Sequence, residues 1–127
     1  MSYCTQLFSI EEFTFSETFQ FAASVRVHSE HPIFTGHFPG SPILPGVTYI
    51  DCVKMLAEKA FGVTHCLKKA QSMKFLSLIN PVNNAEIKAE GTFIKNNAVI
   101  AVKAVFFQLT QSNEKIITAK INAELIQ

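Results

Sequence analysis

The sequence predicts an α+β fold in a single domain over residues 1–127, and three features predict it. Residues 19 to 28 alternate apolar and polar side chains. Residues 46 to 61 form one long apolar run that stops at a glycine, and alternation then returns over the C-terminal part of the chain.

In the first of these, Phe19, Phe21, Ala23, Val25 and Val27 oppose Gln20, Ala22, Ser24, Arg26 and His28, the period of a half-buried strand. A proline-rich loop follows. The run GVTYIDCVKMLAEKAF is apolar nearly all round, so it predicts a mostly buried helix, with Gly62 supplying a left-handed cap. About sixteen residues at 1.5 Å of rise each span roughly 24 Å, enough to cross the face of a sheet. Lys54, Glu58 and Lys59 mark its one solvated edge. Beyond Gly62, Ala85, Ile87 and Ala89 oppose Glu86, Lys88 and Glu90, and Ile117, Ala119, Ile121, Ala123 and Leu125 oppose Thr118, Lys120, Asn122 and Glu124. These are antiparallel strands. Asn96-Asn97 predicts a tight hairpin and Thr110 to Asn113 the next turn, for roughly four strands after the helix. The expected order is therefore a strand region, a loop, a helix and a meander, with no repeat or linker.

Composition narrows the function classes. Charged residues are 17% of the chain and the formal net charge is +1, which argues against nucleic acid and other large polyanions as partners. Twelve Phe, two Tyr and no Trp suit either a plain core or an acyl-sized tunnel. Cys4, Cys52 and Cys66 are an odd, widely spaced set without a Cys-x-x-Cys pair, as in a reduced cytoplasm. The opening MSYCTQLFSIEEF lacks the basic and apolar segments of a secretory signal, and no stretch reaches the roughly 18 apolar residues of a membrane span. A soluble cytoplasmic protein is expected.

Chemistry concentrates between His37 and Asp51. Three of the five prolines, Pro39, Pro42 and Pro45, lie in this stretch and Pro32 just before it, so the loop has many fixed φ angles. His37 can take and return a proton near neutrality. The first N–H groups after Pro45 lack helical acceptors, so Gly46 and its neighbours offer donors, aided by the helix dipole, to a polarised carbonyl. Asp51 is a lone carboxylate in the first turns of an otherwise apolar helix. A base, a carboxyl group and an oxyanion-type donor are the parts needed to take a proton beside a thioester carbonyl and expel a β-hydroxyl.

The run His37-Phe38-Pro39-Gly40-x-Pro42-x-x-Pro45-Gly46-Val47, with an acid fourteen residues after the histidine, resembles the signature of 3-hydroxyacyl-acyl carrier protein dehydratases of the hotdog fold. That resemblance implies a long helix wrapped by an antiparallel sheet and an edge-to-edge homodimer with shared sites. It implies His37 and Asp51 as catalytic residues from opposite subunits, the Gly46 N–H on the thioester carbonyl, and Val47, Phe38 and Tyr49 as substrate-binding neighbours. It implies no cofactor or metal beyond the phosphopantetheine arm of an acyl carrier protein, which is the expected partner. Two positions depart from the family's usual pattern: Asp51 stands where Glu is commonest, as in the branch that also isomerises, and Met55 stands where Gln usually follows. A specialised acyl or polyene pathway, or a heterodimer with a homologue in which this chain is non-catalytic, is compatible with that drift. A hotdog thioesterase is the remaining alternative.

Other residues have plainer readings. His28, His31 and His37 fit no zinc spacing. Cys52 reads as inert helix packing rather than a nucleophile. Lys68, Lys69, Lys74 and Arg26 are either carrier contacts or ordinary solvated strand residues. Phe34, Phe38, Tyr49 and Phe75 are open between core and tunnel lining.

Overall fold

A computed structural model describes residues 6–35 and 42–127, and these contain six strands, one α-helix and a short 3-10 helix at Pro32–Phe34. The strands are β1 (Phe8–Phe15), β2 (Gln20–Val27), β3 (Cys66–Phe75), β4 (Glu86–Asn96), β5 (Val99–Leu109) and β6 (Lys115–Ile126). They form a single antiparallel sheet in the order β1-β2-β4-β5-β6-β3. The expected meander is thus β4-β5-β6 alone. Strand β2 completes one side of it with β1 beyond, and β3 crosses to the opposite edge.

The two strands without a period-two signature, β1 and β3, are both edges and both irregular. In β1 the register slips between Ile10 and Glu12, so the alternation breaks at Glu11. In β3 it slips twice, between Leu67 and Lys69 and between Ala70 and Ser72, and most of its side chains are exposed. The regular strands pair as their patterns require. Ile87, Ala89 and Phe93 of β4, Ile100, Val102, Ala104 and Phe106 of β5, and Ala119, Ile121, Ala123 and Leu125 of β6 are all buried.

Against this face packs α1 (Thr48–Phe61), burying Tyr49, Ile50, Cys52, Val53, Leu56 and Ala57 in the same core. The helix begins two residues later than its apolar run, because Gly46 and Val47 form the entry turn. It ends as expected: Gly62 is left-handed at φ 76° and its N–H donates to the Glu58 carbonyl at 2.7 Å. Asn97, at φ 60°, makes the two-residue link between Asn96 and Val99. Among the described residues, no helix is long and apolar enough to cross a membrane.

One glycine is demanded by packing. A Cβ on Gly91 in β4 would lie 1.8 Å from the Lys103 carbonyl oxygen of β5. Its β2 partner Phe21 stacks on Phe93 at 4.2 Å between ring centroids. Backbone rather than a flexible side chain is in the way, so Gly91→Ala is expected to lower unfolding free energy by about 2 kcal/mol or more. Gly62→Ala, strained only by its dihedral, should lose about 1 kcal/mol. Urea denaturation of both variants checks the order.

Candidate active site

The segment entering α1 is held from two sides. Leu44 donates its N–H to the Ile79 carbonyl at 2.9 Å, fixing the entry to the loop after β3. Pro45 then caps the turn with its carbonyl, accepting from the Thr48 N–H at 3.1 Å and from Thr48 Oγ1 at 2.6 Å. Tyr49 and Ile50 likewise donate back to the Gly46 and Val47 carbonyls at 3.1 and 3.2 Å. Three first-turn donors are therefore used. Among the described residues, nothing accepts from the N–H of Gly46 or Val47, which lie at the positive end of the helix dipole.

Beside Gly46 lies a cleft of about 210 Å³ whose walls are mostly apolar, including Leu44, Tyr49, Phe75, Leu78 and Ile79. Tyr49 is 3% exposed and contributes its ring. Its hydroxyl donates to Thr118 Oγ1 at 3.0 Å, and Thr118 donates onward to the Phe106 carbonyl at 3.2 Å. Burial pushes the phenol up to about 12, against the opposing pull of the Thr118 hydrogen bond. Tyr49 thus shapes the cleft with its face and keeps its proton engaged in the core. Val47 is 72% exposed at the helix start.

Asp51 is exposed, although its helix is apolar on most sides. It follows Tyr49 by two residues, roughly 200° round the helix, so the carboxylate stands on the other side of α1 from the Gly46 cleft. Met55, one turn further on, is half-buried, packs against the core and lines a second cleft with Gln6, Ile10, Glu58 and Lys59. A thioether there cannot hold a carboxylate as an amide would. His37 and Phe38 lie outside the described residues.

The other candidates separate cleanly. Phe34 is 7% exposed and belongs to the core, whereas Phe75 is 50% exposed at the end of β3. His28 is hydrogen-bonded to Ser9, and His31 accepts the Ile33 N–H through Nδ1 at 3.0 Å, so both have local structural partners. Cys52 is buried, and burial pushes its thiol up to about 12, far from the thiolate a nucleophile needs. Arg26 pairs with Glu11 at 3.0 Å and Lys68 with Glu124 at 3.8 Å. Among the described residues, Lys69 and Lys74 make no ion pair. A groove of about 670 Å³ runs over the solvated face of the sheet past Glu90 and Lys115, away from the helix entry. Sequence patterning gave no sign of Thr118 as the Tyr49 partner, since 69 residues separate them.

A family model described as ApeI-like, ApeI dehydratase, matches residues 11–120. The chain belongs to the ApeI-like dehydratase family. Among curated relatives, this ApeI-like chain is similar to the 3-hydroxyacyl-acyl-carrier-protein dehydratase FabZ of Latilactobacillus sakei, at 30% identity over 106 residues that cover 78% of this chain and 73% of the relative. Two further FabZ relatives are matched over only about half their length, 51% and 45%. Among solved structures it resembles the dehydratase heterocomplex ApeI:P of Xenorhabdus doucetiae, with a TM-score of 0.69 and 15% identity over 94% of this chain and 97% of that one. A hexameric acyl-CoA thioesterase follows the same path with a TM-score of 0.59 and 18% identity, over 89% and 71%. At such identities the likeness is one of fold, and that fold is the hotdog.

The buried phenol and thiol of this ApeI-like chain make a pH prediction. Folding raises Tyr49 from 10.0 and Cys52 from 9.0, each to about 12, so the folded state keeps protons that the unfolded chain releases in that interval. Their contribution is whole below about pH 9 and is lost as pH climbs toward 12. Urea midpoints at about pH 8 and about pH 11 should show this fall, and Tyr49→Phe with Cys52→Ala should flatten it.

Proposed function

We propose that this protein dehydrates (3R)-3-hydroxyacyl thioesters, carried on the phosphopantetheine arm of an acyl carrier protein, to trans-2-enoyl thioesters in fatty-acid or specialised acyl biosynthesis. The observation that carries the reading is the family match across residues 11–120. The Pro45-Gly46 turn, where among the described residues nothing accepts from the Gly46 N–H beside an apolar cleft, supports it locally.

In this reading His37 removes the C2 proton as charge moves onto the thioester oxygen, where the Gly46 N–H stabilises it. The C3–O bond then breaks, the C2–C3 double bond forms, and the hydroxyl departs as water with a proton from Asp51. An exposed carboxyl group on the far side of α1 from its own Gly46 cleft suits a site completed by a second chain. Two copies, paired edge to edge along the exposed strand β3, are the arrangement we infer, with His37 of one facing Asp51 of the other. The ApeI:P neighbour is a heterocomplex, and together with Met55 it favours pairing with a homologue as the second reading.

Incubating the chain with 3-hydroxyacyl-carrier thioesters and following loss of water by mass spectrometry tests this. His37→Ala and Asp51→Asn should each reduce turnover by about 10²-fold or more with the fold retained. Mixing the two inactive variants should restore part of the activity if each site draws on both chains. Dehydration at the wild-type rate by either variant would overturn the assignment, as would release of free thiol in place of enoyl product. An inactive isolated chain that gains activity with a homologue would establish the heterodimer.

A further inference from the structure

We propose that Phe75 is the gate of the Gly46 cleft and sets the acyl length it accepts, an inference that rests on the thioester reading above. The ring lies directly on the glycine. Its Cε1, Cζ and Cε2 atoms are 3.0, 3.0 and 3.1 Å from the place a Cβ on Gly46 would occupy. It therefore fills the space left by the missing side chain and covers the approach to a backbone that glycine makes approachable.

Phe75 is not held there as core aromatics are. Phe21, Phe93 and Phe106 are at most 3% exposed, and Phe21 and Phe93 stack at 4.2 Å, whereas Phe75 is 50% exposed and has Tyr49 as a tilted neighbour at 5.9 Å. The backbone beneath it is fixed. Phe75 pairs with Ala119 at the end of β3, and the next residue, Leu76, donates its N–H to the Thr118 carbonyl at 2.8 Å. A side chain with open space on one side, mounted on a pinned backbone, can turn about χ1 without moving the sheet.

Cleft size then assigns the consequence. With the ring in place the space is about 210 Å³, below the roughly 300–1,000 Å³ of sites that enclose a ligand. Only a short acyl segment fits beside Leu44, Tyr49 and Ile79. Turning Phe75 outward extends the cleft past its Leu78 wall toward the exposed Leu76, so the ring's position divides short from long chains.

The test compares 3-hydroxybutanoyl and 3-hydroxydecanoyl thioesters as kcat/KM ratios in Phe75→Ala, Phe75→Leu and Phe75→Trp. The smaller residues should move preference toward the longer chain by about tenfold and Trp should move it the other way. A binding arm uses unreactive butanoyl and decanoyl pantetheine amides, whose Kd ratio should move in the same sense. In 15N-labelled protein the Gly46 amide resonance should shift on adding the decanoyl amide. Unchanged ratios in all three variants, in a wild type that dehydrates, would overturn the gate alone. A wild type that dehydrates neither thioester while the Kd ratio follows residue 75 would overturn the dehydratase reading and uphold the gate.

Discussion

Burial of a nearly all-apolar helix is the constraint on which the rest of this molecule depends. α1 gives water only the stripe of Asp51, Lys54, Glu58 and Lys59, so the chain has to supply apolar surface to the rest of its circumference. The sheet does so with four alternating rows from β2, β4, β5 and β6. Alanines at 89, 104, 119 and 123, all buried, keep that face shallow where larger residues would force the layers apart. Gly91 belongs to the same requirement, since β4 and β5 approach there more closely than any side chain allows.

The site is a by-product of how that helix is entered. Pro45 and Gly46 bring the backbone in sharply, Thr48 and the Pro45 carbonyl lock the turn, and the donors just ahead of the helix have no acceptor among the described residues. Tyr49 connects this corner to the sheet through Thr118 and the Phe106 carbonyl, so the cleft wall and the core are one hydrogen-bonded unit. Asp51 leaves the helix on the other side. The position of the acid relative to the cleft is therefore a consequence of helical pitch, and it is what makes a second chain part of the proposed chemistry.

Much of the architecture was legible because it depended on local rules. Gly62 as the helix stop, Asn97 as the hairpin residue and the turn at Thr110 to Asn113, where Asn113 is left-handed at φ 64°, each follow from residues that tolerate a conformation others resist. The alternating strands β2, β4 and β6 appeared at their positions because one face of each is buried. Strands β1 and β3 left no such trace: register slips at Glu11 and twice in β3 break the period, and an exposed edge strand needs no apolar face. The helix start also moved, from Gly46 to Thr48, because the entry turn uses the first two residues of the apolar run.

By itself, the sequence determined the class of fold, the helix and its cap, and it marked the stretch from His37 to Asp51 as the candidate site, since proline, glycine, charge and period act within a few residues of each other. Tertiary structure decided what depends on residues far apart in the chain. It ordered the strands, gave Tyr49 its partner 69 residues away, sent Phe34 into the core and left Phe75 half in solvent above Gly46. Composition treats those two phenylalanines alike, because burial is a property of what the rest of the chain packs around them.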